Sequence, residues 1–190
     1  MDFILEGAGL FIYPMALCSL TALYIIIERL IALRSSNVIP REIAQALVSG
    51  DISAYAGDQK TSVGRIVAFY RNANPDAESI KAFAQLEMSR LERGMFLLDV
   101  TVGVAPLLGL LGTVAALVSV FSVDGAPSQE IITRGVGLAL STTILGLSIA
   151  IPAMFGSSWL YRKIDTLSAR INICVERLID IRKQDANSEK

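Results

Sequence analysis

Val100-Thr101-Val102-Gly103-Val104-Ala105-Pro106-Leu107-Leu108-Gly109-Leu110-Leu111-Gly112-Thr113-Val114-Ala115-Ala116-Leu117-Val118-Ser119-Val120-Phe121-Ser122-Val123 contains no Asp, Glu, Lys or Arg. Gly7–Ile27 and Gly135–Tyr161 are equally free of charge. A bilayer core about 30 Å thick is crossed by about 20 apolar residues of helix, and each run is long enough. A soluble domain of 190 residues hides one such helix, not three. A mean hydropathy of +0.53 and 53% hydrophobic residues agree. The sequence therefore reads as an all-α membrane protein. Transmembrane helices occupy 7–27, 100–123 and 135–161. A helical region at 28–99, a loop at 124–134 and a helical tail at 162–190 lie outside the bilayer.

The first run does not read as a cleaved signal peptide. Asp2 and Glu6 stand where a basic n-region belongs, and no small-x-small site follows. Positive charge sets the orientation. Of 17 Lys and Arg residues, nine fall in 28–99, seven in 162–190, and Arg134 alone in the intervening loop. Lys and Arg collect on the cytoplasmic side. The N-terminus and the 124–134 loop are then outside, and residues 28–99 and the C-terminus are cytoplasmic. Arg29 ends the first span and reads as an interfacial anchor at the lipid headgroups.

Between the spans, Pro40–Gly50, Asp51–Gly57 and Thr61–Asn72 read as short helices, and Asn74-Pro75 as a cap followed by a first-turn proline. From Asp76 an apolar face at Ile80, Ala84, Leu91, Met95 and Leu98 runs on without a strong breaker. The expectation is one helix from Asp76 to about Ser122, about 70 Å long. The third span likewise continues into a heptad seam at Ile164, Leu167, Ile171, Cys174, Leu178 and Ile181. That seam packs within its own chain or between subunits. Beyond Lys183 the residues are polar and read as disordered.

Certain chemistries have no material in this chain. It has no His, so His-based catalysis is out. No phosphate-binding loop, Cys/His metal cluster or paired carboxylate stands out, so no enzyme, metal or cofactor is expected. A net charge of −1 offers no bulk attraction for nucleic acid. None of the three spans contains an Asp, Glu, Lys, Arg or His. If protons cross here, the titratable group within the membrane belongs to another chain.

Hydroxyls and small residues remain. Gly103, Pro106, Gly109 and Gly112 punctuate the second span. Thr142, Gly146, Ala150 and Ala153 form a ridge on the third, with Thr143 beside it and Pro152 further in. Small ridges let helices approach closely in lipid. Thr113 lies about 15 Å from Val123, and Thr143 about 12 Å from Gly135 at the same end. The two hydroxyls share a level, as a polar belt in a pore would. The same residues also suit plain packing, with each hydroxyl returned to the carbonyl four residues earlier.

The runs Ala105-Pro106-Leu107-Leu108-Gly109-Leu110-Leu111-Gly112-Thr113-Val114 and Ala139-Leu140-Ser141-Thr142-Thr143-Ile144-Leu145-Gly146-Leu147 resemble the second- and third-span signatures of the MotA/TolQ/ExbB proton-channel family. Ala150-Ile151-Pro152-Ala153 and Ile27-Glu28-Arg29-Leu30 are also similar. Three spans in this order resemble the ExbB and TolQ branch; MotA has four spans and a larger cytoplasmic insertion. The resemblance implies a homopentamer in the bacterial inner membrane. Its second and third spans would line a channel around a single-span ExbD- or TolR-like partner that supplies a membrane Asp. Proton motive force would then drive outer-membrane work through a TonB- or TolA-like transducer. Thr113 and Thr143 match the family's pore threonines, and the adjacent Thr142 is expected to line the pore with them. Pro106, Gly109, Gly112, Gly146 and Pro152 match its helix-shaping positions. Leu138 stands where ExbB and TolQ usually carry Glu. A non-conducting membrane scaffold and a stator of a gliding or flagellar type are the alternatives.

Overall fold

In the computed structural model, residues 9–34, 38–40, 46, 60–73, 75–122 and 128–188 are described. Among them the chain is entirely helical. A 3-10 turn at Gly9–Phe11 opens α1 (Ile12–Ala32). Then come α2 (Ser62–Ala73), α3 (Ala77–Leu91), α4 (Met95–Phe121) and the long α5 (Gln129–Ser188). The short helices expected across 40–57 and the first residues of the 124–134 loop fall outside the described residues. Three helices, α1, α4 and α5, are long and apolar enough to cross a membrane. They contain residues 12–27, 100–121 and 135–161 of the three uncharged runs.

The chain forms two compact units. One takes in the described residues of 1–28 and 94–159, the other those of 29–93 and 160–190. In the first unit, α1 turns Met15, Ala22 and Ile25 inward and leaves Leu17, Leu20 and Tyr24 exposed. α4 buries Met95, Leu98, Thr101, Ala105, Gly109 and Gly112, at helical steps of three and four. Its opposite face shows Leu107, Leu111, Val114 and Val118. α5 buries Ala139, Thr142, Ala150 and Ala153 and exposes Ile144, Ile151 and Phe155. Met15, Ile25, Met95 and Leu98 are inside, but the contact of α4 with α5 is made of small residues and most of the large apolar ones lie outside. That inversion suits hydrocarbon surroundings, where nothing drives large side chains inward and close backbone contact holds helices together.

The second unit has the opposite character. Val63, Ile66, Ile80, Ala84, Leu160, Ile164, Leu167, Ile171 and Leu178 are buried. Phe69 and Phe83 stack with centroids 4.5 Å apart. The seam read along the tail is therefore buried within a single chain, with Cys174 half-buried. Burial raises the Cys174 thiol above its ordinary value. Glu87, fully buried, accepts from Arg65 Nε at 2.9 Å and Nη2 at 2.6 Å on one oxygen. Its other oxygen accepts from Arg90 Nη1 at 2.6 Å. Two guanidinium groups therefore complete the solvation that burial removed.

Three expectations need correction. The helix from Asp76 to Ser122 is two helices. α3 ends at Leu91, and Gly94 takes φ +84° before α4 begins. A methyl group there would meet nothing within 4 Å, so the requirement is one of backbone conformation. Glycine enters the left-handed region without the penalty a Cβ brings. The cap of α3 is Asp76, which accepts the Ser79 N–H at 3.1 Å, so Pro75 lies ahead of the helix rather than in its first turn. Ser79 bonds, from its side chain first and its backbone second, hold the Asp76 carboxyl below its usual value. The cap therefore stabilises above the ordinary carboxylate range and is lost as pH falls through the lowered value. Finally, α5 continues through Gln184 to Ser188; no proline or glycine stands between Ser157 and its end.

Gly94→Ala should destabilise the protein by about 1–2 kcal/mol through left-handed backbone strain alone, read as a lowered midpoint of thermal unfolding in detergent. Arg65→Ala should cost more than Arg90→Ala, because Arg65 contributes two bonds to a buried carboxylate. In an Arg65→Ala/Glu87→Ala cycle, the coupling energy should be about 1–3 kcal/mol.

Candidate functional site

The site begins with two glycines. A methyl group on Gly146 would sit 2.6 Å from the Ala105 carbonyl oxygen, and one on Gly109 would sit 2.9 Å from the Thr142 carbonyl oxygen. A methyl on Gly112 would lie 3.0 Å from Thr142 Cβ. Backbone meets backbone here, so α4 and α5 are in direct contact at the level of Thr142 and Thr143. Gly103, read with the others as part of the small face, has nothing within 4 Å of its Cβ position. The contact ridge of α4 is Ala105, Gly109 and Gly112.

That closeness brings three hydroxyls together. Thr113 Oγ1 lies 2.6 Å from Thr143 Oγ1 and 3.1 Å from Thr142 Oγ1. The Gly109 carbonyl accepts from Thr142 at 2.9 Å, Thr113 at 3.0 Å and Thr143 at 3.4 Å. The Ala139 carbonyl accepts from Thr142 at 2.7 Å and Thr113 at 3.1 Å. Each hydroxyl has one proton to give. One consistent arrangement sends Thr143 to Thr113, Thr113 to Ala139 and Thr142 to Gly109. Every donor is then satisfied, and the Thr113 and Thr143 oxygens keep acceptor capacity. Thr142 is fully buried, whereas Thr113 and Thr143 are partly exposed.

The matched depths read from the sequence are thus a contact. The back-bonding alternative is present beside it: Thr113 returns to the carbonyl four residues earlier, and Thr142 to one three residues earlier. The bonds recorded for Thr143 cross to α4. Pro106 lies inside α4, half-buried, and leaves the Val102 carbonyl without its helical N–H donor. Pro152 lies inside α5 and is exposed. Leu138 is half-buried, an apolar side chain one residue before Ala139.

Arg29 differs from its reading as a headgroup anchor. It is 8% exposed, and its Nη1 donates to the Leu91 carbonyl at 3.3 Å. A cation there complements the carbonyl end of α3. One polar pair was not found from the sequence. Ser157, 6% exposed, donates from Oγ to Asp99 Oδ1 at 2.8 Å. The signal was present as a spacing: Asp99 precedes Thr113 by 14 residues, and Ser157 follows Thr143 by 14. Among the described residues, no three His, Cys, Asp or Glu are grouped to hold a metal ion.

Gly146→Leu and Gly109→Leu should each force α4 from α5 and lower stability by about 3 kcal/mol, whereas Gly103→Leu should be nearly neutral. Thermal unfolding of the three variants in one detergent checks the contrast.

Comparison with known proteins matches residues 60–173 to the MotA/TolQ/ExbB proton channel family. Biopolymer transport protein exbB1 of Vibrio cholerae is 28% identical, over 87% of this chain and 81% of that protein. A putative biopolymer transport protein ExbB-like 1 from Synechocystis sp. is 31% identical, over 81% of this chain and 67% of its own length. Biopolymer transport protein ExbB of Helicobacter pylori is 35% identical over 50% of this chain and 68% of that protein. The matched segment holds Thr113, Thr142, Thr143 and the glycines that bring them together, and the chain belongs to the MotA/TolQ/ExbB proton channel family, in its ExbB-like branch.

Proposed function

We propose that this chain is the proton-channel subunit of an inner-membrane motor that uses the proton motive force to energise outer-membrane transport or envelope processes. The observation that carries this reading is the Thr113–Thr143 pair. It is a polar contact within the uncharged stretches of α4 and α5, partly open at the surface, with acceptor lone pairs left over. Hydroxyl oxygens of that kind hold water and pass protons without binding them tightly. Between Val100 and Phe121, and between Gly135 and Trp159, the chain has no acidic or basic side chain. The proton carrier at threonine depth therefore comes from a partner. An ExbD- or TolR-like single span with a membrane Asp has the required chemistry.

The large apolar faces of α4 and α5 favour enclosure by lipid and by other copies of the chain, and a homopentamer around the partner satisfies both. In that ring Thr113 and Thr143 line the channel, and Thr142 positions Thr113 from inside the helix pair. Gly109, Gly112 and Gly146 set the helix spacing. Pro106 and Pro152 interrupt the two hydrogen-bond ladders. The distribution of Lys and Arg favours a periplasmic N-terminus and a cytoplasmic C-terminus. A TonB- or TolA-like protein would carry the work outward. The chain itself has no catalytic role in this reading.

A second reading is a non-conducting scaffold, favoured by the closed hydrogen-bond set in which every threonine proton has an acceptor. Thr143→Val separates the two. Thr113 keeps the Gly109 and Ala139 carbonyls after this change, so assembly should survive. Proton flux into liposomes holding the chain with its partner should fall about tenfold or more, the loss of roughly one hydrogen bond at the crossing point. Thr143→Ser should retain flux. Undiminished flux in Thr143→Val removes the channel role of Thr143.

A further inference from the structure

Asp99 is the sole carboxylate between Met95 and Phe121. It occupies an exposed position, near the strongly exposed apolar Phe96 and Val100. A carboxylate among apolar surface residues on a membrane helix needs a reason, since charge is disfavoured there. Its placement along α4 supplies one. Fourteen residues of α-helix return to within about 40° of the starting direction and rise about 21 Å. Asp99, Pro106 and Thr113 therefore share one stripe of α4. Thr143, Ala150 and Ser157 share one stripe of α5 by the same arithmetic.

The two stripes meet twice. At one end Thr113 and Thr143 are 2.6 Å apart. Fourteen residues away on each helix, Ser157 donates to Asp99 at 2.8 Å. Between these polar rungs, the stripes are lined by Pro106 and by the small residues Gly109, Gly146 and Ala150. Pro106 leaves the Val102 carbonyl without its helical donor, an acceptor near the Asp99 end of the stripe. The pattern is polar rung, proline-freed carbonyl, polar rung; Asp99 is exposed and Pro106 and Thr113 are half-buried, so this stripe reaches the surface of the helix pair beside its close-packed seam.

We infer that Asp99 is a proton-transfer group of the channel, receiving protons that leave the Thr113–Thr143 level and releasing them to water at the end of the helix pair remote from the α4–α5 connection. This rests on the proton-channel reading. The step is a simple transfer: a proton from a water at that surface adds to the Asp99 carboxylate to give the acid, then passes to bulk water, and only O–H bonds form and break. Ser157 is a positioning residue. Its hydroxyl holds Asp99 Oδ1 and so fixes the carboxyl group at this end of the stripe.

The test uses the full chain with its partner, reconstituted in liposomes with an internal pH dye. Asp99→Asn keeps an oxygen that accepts from Ser157 but cannot carry the proton. Its flux should fall about tenfold or more, while Asp99→Glu should keep most of it and Ser157→Ala should lose a few-fold. Native mass should be unchanged throughout. Thr143→Val is the control for the underlying reading. If Thr143→Val blocks flux and Asp99→Asn conducts normally, the channel stands and the role of Asp99 is overturned. If neither variant changes flux, the channel reading itself fails. Loss of assembly in Asp99→Asn, or a Glu variant as inactive as the Asn variant, would give Asp99 a structural role and overturn the inference as well.

Discussion

The membrane unit depends on the distance between α4 and α5 at Gly109 and Gly146. A single methyl group on either glycine would collide with backbone of the other helix. Because both are glycine, the Gly109 carbonyl comes within reach of three threonine hydroxyls, two from the neighbouring helix. In hydrocarbon, apolar burial gives no net pull between helices, so such close contact and its hydrogen bonds have to supply the association. The same constraint that holds the helices together also places Thr113 against Thr143. Structure and candidate chemistry therefore share one cause, and a change that loosens the helix pair disturbs both.

The two compact units obey different solvents. The unit containing α4 turns most of its large apolar residues outward and packs α4 on α5 through Gly, Ala and Thr. The unit containing α2 and α3 does the reverse, with Ile, Leu and stacked Phe inside and a buried Glu87 held by two arginines. Those two guanidinium groups supply the hydrogen bonds that burial takes from the carboxylate. Gly94 lies at the boundary between the two units in the chain. Its left-handed conformation ends one helical run so that another can begin, and side-chain packing plays no part in that requirement.

Much of this was legible beforehand because it depends on composition and period. Three uncharged runs gave three membrane-length helices. The Thr142-Gly146-Ala150-Ala153 ridge is buried as its spacing implied, and the Ile164–Ile181 seam is a core. The level shared by Thr113 and Thr143 followed from counting residues along two antiparallel helices. What was not legible depended on contacts between distant residues. Gly94 looks like any tolerated helix glycine until its φ is known. Gly103 resembles Gly109 in sequence but faces open space. Arg29 ends a span next to Glu28, which suggested headgroups, yet its guanidinium goes to the end of α3. Asp99 and Ser157 are 58 residues apart, and only the register of the helix pair makes them neighbours.

The central claim is that Thr113 and Thr143 border a water-accessible path and are more than glue between helices. Access can be measured directly. In a chain with Cys18 and Cys174 replaced by Ser, a cysteine is placed at position 113, 143 or 151 and the assembled complex is treated in membranes with a small, water-borne methanethiosulfonate reagent. The account predicts modification at 113 and 143, blocked proton flux after it, and no reaction at 151, where Ile151 belongs to the apolar outer face. Protection of 113 and 143 to the same degree as 151, in a complex that still conducts, would contradict it.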